Sequence, residues 1–204
     1  MIRVYFIYTF IFFTLLASGS QANQCTSFES LFDSPLPTTA HLEDLLKEAF
    51  DDPNVYKPLQ CYENVRSLYN EYLQPDFQAS DFKVLLIFKR SFAKYFPVYN
   101  GDRAHIFSPK THRAAAGMVP EWRYHVVLEY RGKIIDLDSS EPGLISKKDF
   151  LNNFSKEDLE DLVVVTVEGK KYLLSTLFPI NQKLALEDFK ASGKKYGLTN
   201  YLDR

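Results

Sequence analysis

The chain has 204 residues and a formal net charge of −2 at pH 7, which is long enough for one domain with its own hydrophobic core. That charge balance argues against a nucleic-acid partner. The apolar fraction is ordinary for a globular protein, with no low-complexity segment and no internal repeat.

Arg3 is followed by an uncharged, largely apolar run from Val4 to Ala17, and then by Ser20-Gln21-Ala22. This order reads as a secretory signal peptide over residues 1–22, and so as a secreted or periplasmic protein. The run is short for a spanning helix, which needs ~20 apolar residues, so no stable membrane insertion is expected after cleavage. Removal of 1–22 leaves 182 residues and takes away only Arg3, so that −2 becomes −3. Cys25 and Cys61 are the two cysteines. In an exported chain such a pair first suggests a disulfide. Yet Cys25 lies near the mature N-terminus, where chains are loose, and one bridge adds little to a domain of this size. A Cys25–Cys61 bridge and a free Cys61 both stay open at this point, and the bridge would block the thiol.

Residues 23–58 read as a leader or linker with one helix, a candidate pro-segment, ahead of a single catalytic domain over 59–204. Thr39 is placed to cap a helix from Ala40 to Phe50 with Leu42, Leu45, Leu46 and Ala49 on one face. Asp51-Asp52-Pro53-Asn54 ends it. A second helix is expected from about Leu59 to Leu73, with Val65, Leu68, Tyr69, Tyr72 and Leu73 in one stripe. Cys61 extends that stripe from the first turn, so its thiol faces inward. There the free N–H groups and the helix dipole favour a thiolate, although most free cysteines in such places are small buried hydrophobes.

Phe82 to Phe88 is a buried strand. Residues 89–121 form a long basic, aromatic connection holding Tyr95, Tyr99, Arg103, His105, His112, Arg113 and the small run Ala114-Ala115-Ala116-Gly117; long connections of this kind are commonly functional or disordered. His105 and His112 lack companion ligands at metal spacing, so neither a metal nor any other cofactor is expected. Trp122 to Tyr130 and Lys133 to Asp138 are two strands joined through Arg131-Gly132. With a two-residue turn, Tyr130 faces Lys133, and His125, Val127, Asp136 and Asp138 share one sheet face. Either aspartate then reaches the imidazole. Ser146 and Ser155 cap two short helices. Leu162–Val167 and Lys170–Leu174 read as a hairpin through Glu168-Gly169, and a last helix covers Leu184 to Ala191. Asn153-Phe154-Ser155 is a glycosylation sequon.

Three of these stretches belong together. A cysteine hydrolase needs a thiolate, a base to hold and return its proton, and an acceptor to orient that base. Cys61 has the helix terminus. His125 stands in an apolar strand, where it needs a hydrogen-bond acceptor. Asp136 and Asp138 follow the apolar Ile134-Ile135 and need partners too. The bland alternative is an ion pair or a solvated strand end. The Cys61 backbone N–H would form part of an oxyanion hole.

Cys61-Tyr62-Glu63-Asn64-Val65, Trp122-Arg123-Tyr124-His125-Val126-Val127-Leu128 and Ile135-Asp136-Leu137-Asp138 resemble the protein glutamine deamidases. The secreted bacterial protein-glutaminases are similar in the helix-start cysteine, the small-residue loop, the Trp-x-Tyr-His-Val strand and the Ile-Ile-Asp strand. The N-terminal glutamine amidohydrolases are similar in Cys-Tyr, Glu-Asn-Val, Tyr-His-Val-Val-Leu and Asp-Leu-Asp. The N-terminal amidohydrolases are intracellular, so the export signal favours the secreted branch. The resemblance spans about residues 59–145 and implies an α+β, papain/transglutaminase-like fold, with the Cys helix packed on an antiparallel sheet carrying His and Asp. It implies Cys61 as nucleophile, His125 as base and Asp136 as orienter, with Trp122, Tyr124 and Asp138 as candidate substrate-binding residues. The implied partner is a protein or peptide with an accessible glutamine, acted on by a monomer without cofactor. Two other readings stand beside it: a transglutaminase or cysteine peptidase of the same superfamily, and a non-enzymatic exported binding protein with a Cys25–Cys61 disulfide.

Overall fold

The computed structural model describes residues 37–94, 103–113, 121–177 and 181–203. The signal-peptide region, Cys25, Tyr95, Tyr99 and Ala114 to Gly117 lie outside the described residues. Residues Pro37–Arg204 form one compact unit. The fold class is α+β. No helix among the described residues is long and apolar enough to cross a membrane.

Its centre is β1 (Phe82–Lys89), buried on both faces, which is why its sequence is a continuous apolar run without alternation. On one side β1 pairs with β2 (Tyr124–Tyr130), then β3 (Lys133–Ile135) and β4 (Ile145–Ser146). On the other it pairs with β5 (Leu162–Glu168) and then β6 (Lys194–Gly197). All five pairings are antiparallel.

Helices cover both faces. Phe82, Val84, Leu86 and Phe88 of β1 pack with residues of α1 (Thr39–Phe50), α2 (Cys61–Leu68), α5 (Gly169–Leu173) and α6 (Gln182–Ser192). Leu85 and Ile87 pack the other way, with Phe150 of α3 (Lys147–Asn152), Leu159 of α4 (Lys156–Asp161) and Leu198 and Leu202 of α7 (Leu198–Leu202). The folded unit therefore includes α1, whose Leu42, Leu46 and Ala49 are fully buried in the core.

Several boundaries differ from the expectations, each for a local reason. The first cap is Thr38, whose hydroxyl accepts from the His41 N–H at 3.2 Å. Helix α2 starts at Cys61 because Leu59 takes a left-handed φ of 63°, which a helix cannot continue through. It ends in a π-type turn over Tyr69–Leu73. The Arg131-Gly132 turn has φ of 48° and 78°, both positive as a type I′ hairpin requires, and Tyr130 pairs with Lys133. Strand β3 stops at Ile135 rather than Asp138. The Asp136 carboxylate accepts the Asp138 N–H at 2.9 Å and its carbonyl accepts the Ser139 N–H at 3.1 Å, so a local turn wins over the ladder. Trp122 sits before β2, in an isolated bridge with Phe107.

The expected hairpin through Glu168-Gly169 is wrong. Strand β5 already has β1 and β6 as neighbours, and residues 169–173 form α5 instead. A Cβ on Gly169 would meet the Ala79 carbonyl oxygen at 2.2 Å, so only glycine lets the chain turn there and bury Tyr172 and Leu173. Strand β6 and helix α7 were not anticipated.

Candidate functional site

Cys61 is the first residue of α2 and a buried free thiol. Its turn is anchored by Asn64, whose side chain accepts from the Lys57 N–H and donates to the Lys57 carbonyl, both at 2.9 Å. The left-handed Leu59 brings the chain round between these contacts and the helix start. Three phenols surround the thiol. Tyr172 donates to the Tyr62 carbonyl at 3.1 Å, and Tyr124 accepts from Gln182 Nε2 at 3.0 Å. Burial, followed by the neighbouring Glu63 and Cys61, pushes Tyr62 up to about 12. Burial and then the Cys61 charge push Tyr124 and Tyr172 upward as well. All three stay neutral in water near pH 7.

His125 is completely buried. Its ring lies flat on the Trp122 indole, with centroids 3.8 Å apart and planes 1° from parallel. Nε2 is hydrogen-bonded to Asp136 Oδ1 at 2.9 Å. Nδ1 has no hydrogen-bond partner, and Asp138 Oδ2 stands 3.7 Å from it. Burial pulls the imidazole pKa down. The Asp136 charge and hydrogen bond, and after them the Cys61 thiol, push it up and prevail, leaving it well above the ordinary 6.5.

Along β2, strand β3 pairs only with Leu128–Tyr130. Beside His125 the β3 ladder is gone, and the Asp136–Asp138 turn supplies the carboxylates. Tyr124 and His125 are consecutive, so they leave β2 on opposite faces. Tyr124 packs with the core cluster that contains Cys61, whereas Trp122 belongs to the cluster on the other face. The group thus sits where β2 has β1 beside it but no longer β3, with residues of both core clusters around it.

Asp138 is buried and well held. Tyr56 Oη donates to its Oδ1 at 2.9 Å, and its carbonyl accepts the Arg113 N–H at 2.7 Å. Burial raises its pKa above the ordinary 3.8. The His125 charge pulls it back, Asp136 pushes it up again, and the Tyr56 bond lowers it, but the net direction is upward. The Arg113 guanidinium lies 4.0 Å over the Tyr56 ring and 4.2 Å over that of Phe50. It also bonds the Phe50 carbonyl and pairs with Asp51 at 3.2 Å. Residues from the end of α1 to the turn after β3 are thereby joined in one assembly.

Of the six sequence-derived site residues, His125, Asp136, Asp138 and Trp122 meet directly. Cys61 and Tyr124 belong to the core cluster on the other face, and the Cys61 thiol bears electrostatically on the imidazole. Trp122 and Asp138, expected against substrate, lie buried against or beside the imidazole. Tyr56 and Gln182 stand in no local pattern that marks them in the sequence, and Arg113 reads there only as one charge of a long loop. His105 lies elsewhere, with Nδ1 2.9 Å from Ser91 Oγ. Asn153 uses its side-chain amide on Thr111, accepting from N and Oγ1 at 2.8 Å and donating to O at 2.9 Å, so a glycan on Nδ2 would crowd the last of these bonds. His125, Asp136 and Asp138 each offer a ligand atom within 4.8 Å of the others, the one such group among the described residues. Two of the candidate atoms, Nε2 and Asp136 Oδ1, already satisfy each other.

Comparison with family models and with curated protein sequences finds no match to this chain.

Proposed function

We propose that the chain is an exported, cysteine-dependent amidohydrolase that converts glutamine side chains of proteins or peptides to glutamate and releases ammonia. One observation carries this reading: a fully buried imidazole has Nε2 committed to Asp136 and Nδ1 unpartnered, with the Cys61 thiol among its neighbours. A buried nitrogen without a well-formed hydrogen bond is disfavoured. A role for that nitrogen explains why it is kept. The likeness of the three motifs to the protein glutamine deamidases supplies the substrate class.

In this mechanism Cys61, as thiolate, attacks the side-chain amide carbon, and the C=O electron pair moves to oxygen. The Cys61 N–H at the helix start helps hold that oxyanion. Collapse breaks the C–N bond, and the proton on Nδ1 passes to the leaving nitrogen, giving ammonia and a γ-glutamyl thioester. Nδ1 then removes a proton from water, whose oxygen attacks the thioester. The C–S bond breaks, glutamate leaves, and the proton returns to the Cys61–His125 pair. Asp136 keeps Nε2 protonated and the ring aligned throughout. The neutral phenols of Tyr62, Tyr124 and Tyr172 form the thiol's surroundings.

The test is ammonia release from casein by the mature chain beside Cys61→Ala. Release by the first alone, with substrate gaining about one dalton per site through exchange of NH for O, supports the proposal. Peptide cleavage or amine incorporation instead points to a peptidase or a transglutaminase. An inert chain with Cys61 oxidised points to the binding-protein reading.

A further inference from the structure

The proposed chemistry leaves unused the second carboxylate of the site. Asp138 is not a strand-end solvated acid: it is buried, and its polar groups have assigned contacts. Oδ1 takes the Tyr56 hydroxyl at 2.9 Å, the N–H goes to Asp136 Oδ1 at 2.9 Å, and the carbonyl takes the Arg113 N–H at 2.7 Å. That leaves Oδ2, which stands 3.7 Å from His125 Nδ1. The distance is too long for a hydrogen bond and short enough for strong electrostatic coupling at this depth. The imidazole is therefore bracketed, with Asp136 bonded at one nitrogen and Asp138 close to the other.

We infer that Asp138 is a positioning residue, held by Tyr56, that keeps the Nδ1 edge of His125 turned toward the thiol and senses protons on its behalf. The inference rests on the amidohydrolase reading for its kinetic consequences, but not for its geometry. When Asp138 is ionised, its charge favours a proton on Nδ1, the proton the leaving nitrogen needs. When it is protonated, that support is lost and the imidazole gives its proton up more easily. The charged and titratable groups facing Asp138 are His125 on β2, Asp136 within the turn, Tyr56 from the segment after α1, and His112 and the neighbouring Arg113 from the connection before β2. Tyr56 stabilises the ionised carboxylate by donating to it. Arg113, stacked on the Tyr56 ring, fixes where that hydroxyl points.

The experiment is an NMR titration of the His125 ring in the full mature chain, its signals assigned by their loss in His125→Gln, in wild type, Asp138→Asn and Tyr56→Phe. Asp138→Asn keeps the shape and removes the charge, so His125 titrates at lower pH. Tyr56→Phe keeps the charge and removes its donor, so the acid-side inflection that Asp138 imposes on the His125 signal moves to higher pH. In ammonia release, Asp138→Asn lowers kcat by up to about 100-fold at unchanged KM, and the alkaline limb of its pH profile moves down. A folded Asp138→Asn in which His125 titrates where it does in wild type overturns the inference. Should Asp138→Asn not fold, Tyr56→Phe decides, and an unmoved inflection overturns it. The displaced titration in a chain that releases no ammonia would sink the amidohydrolase reading and leave the Asp138–His125 coupling standing.

Discussion

At the residue scale, what matters about His125 is which nitrogen is free. Asp136 takes Nε2, and the flat contact with Trp122 restrains ring rotation, so Nδ1 is the nitrogen the proposed mechanism uses. Asp136→Asn removes the acceptor that sets the tautomer. In the proposed mechanism it lowers kcat for ammonia release by about 10³–10⁴-fold with little change in KM, as comparable substitutions do in catalytic triads. The raised His125 pKa also predicts a pH dependence of stability. A group that binds its proton more tightly when folded stabilises fully below its unfolded pKa, and that contribution is lost as pH rises through the folded value. For His125 the loss begins near 6.5 and extends upward, because the folded value lies well above it. Melting temperature should therefore fall as pH is raised through this range, and fall less in Asp136→Asn. Asp136 itself was legible in the sequence, because a carboxylate after two buried isoleucines needs a partner. Tyr56 was not, since a tyrosine in a polar connection carries no sign of the carboxylate 82 positions away that it bonds.

At the element scale, registers were more legible than ends. The Arg131-Gly132 turn fixed the β2–β3 register from two residues of turn chemistry, and the expected Tyr130–Lys133 pairing is the one found. The end of β3 was hidden, because it depends on the Asp136 side chain competing for backbone donors. The mistaken hairpin at Glu168-Gly169 has the same origin: a glycine marks a turn, but whether strand or helix follows depends on tertiary neighbours. Here the neighbours are the Ala79 and Phe82 carbonyl oxygens, 2.2 and 2.7 Å from where a Cβ would stand. Gly169→Ala must displace backbone and is expected to cost about 1–3 kcal/mol, read as a lower urea midpoint at unchanged slope.

At the scale of the whole molecule, the candidate site lies where β2 runs on past the end of β3, between the two core clusters. The segment read as a leader includes α1 and Tyr56. Helix α1 contributes the fully buried Leu42, Leu46 and Ala49, and the end of this helix binds Arg113. Leu46→Ala is expected to cost about 2–5 kcal/mol, measurable by equilibrium unfolding. A cut after residue 58 that released this piece would remove core as well as Tyr56, so it should lower stability and ammonia release together rather than activate the protein. Pro58 marks the boundary because it precedes the Cys61 helix, and a local signal of that kind does not reveal that the amphipathic helix before it packs into the body that follows.

The most direct measurement is the mass of the protein itself during turnover. The mature chain is mixed with a glutamine-containing peptide, quenched in acid within the first turnovers, and weighed intact and after digestion. A cysteine-dependent amidohydrolase gives a species heavier by the peptide less ammonia, located at Cys61, absent from Cys61→Ala and slow to appear in Asp136→Asn. Ammonia release without that adduct and undiminished in Cys61→Ala would contradict that reading, as would an adduct at any other residue.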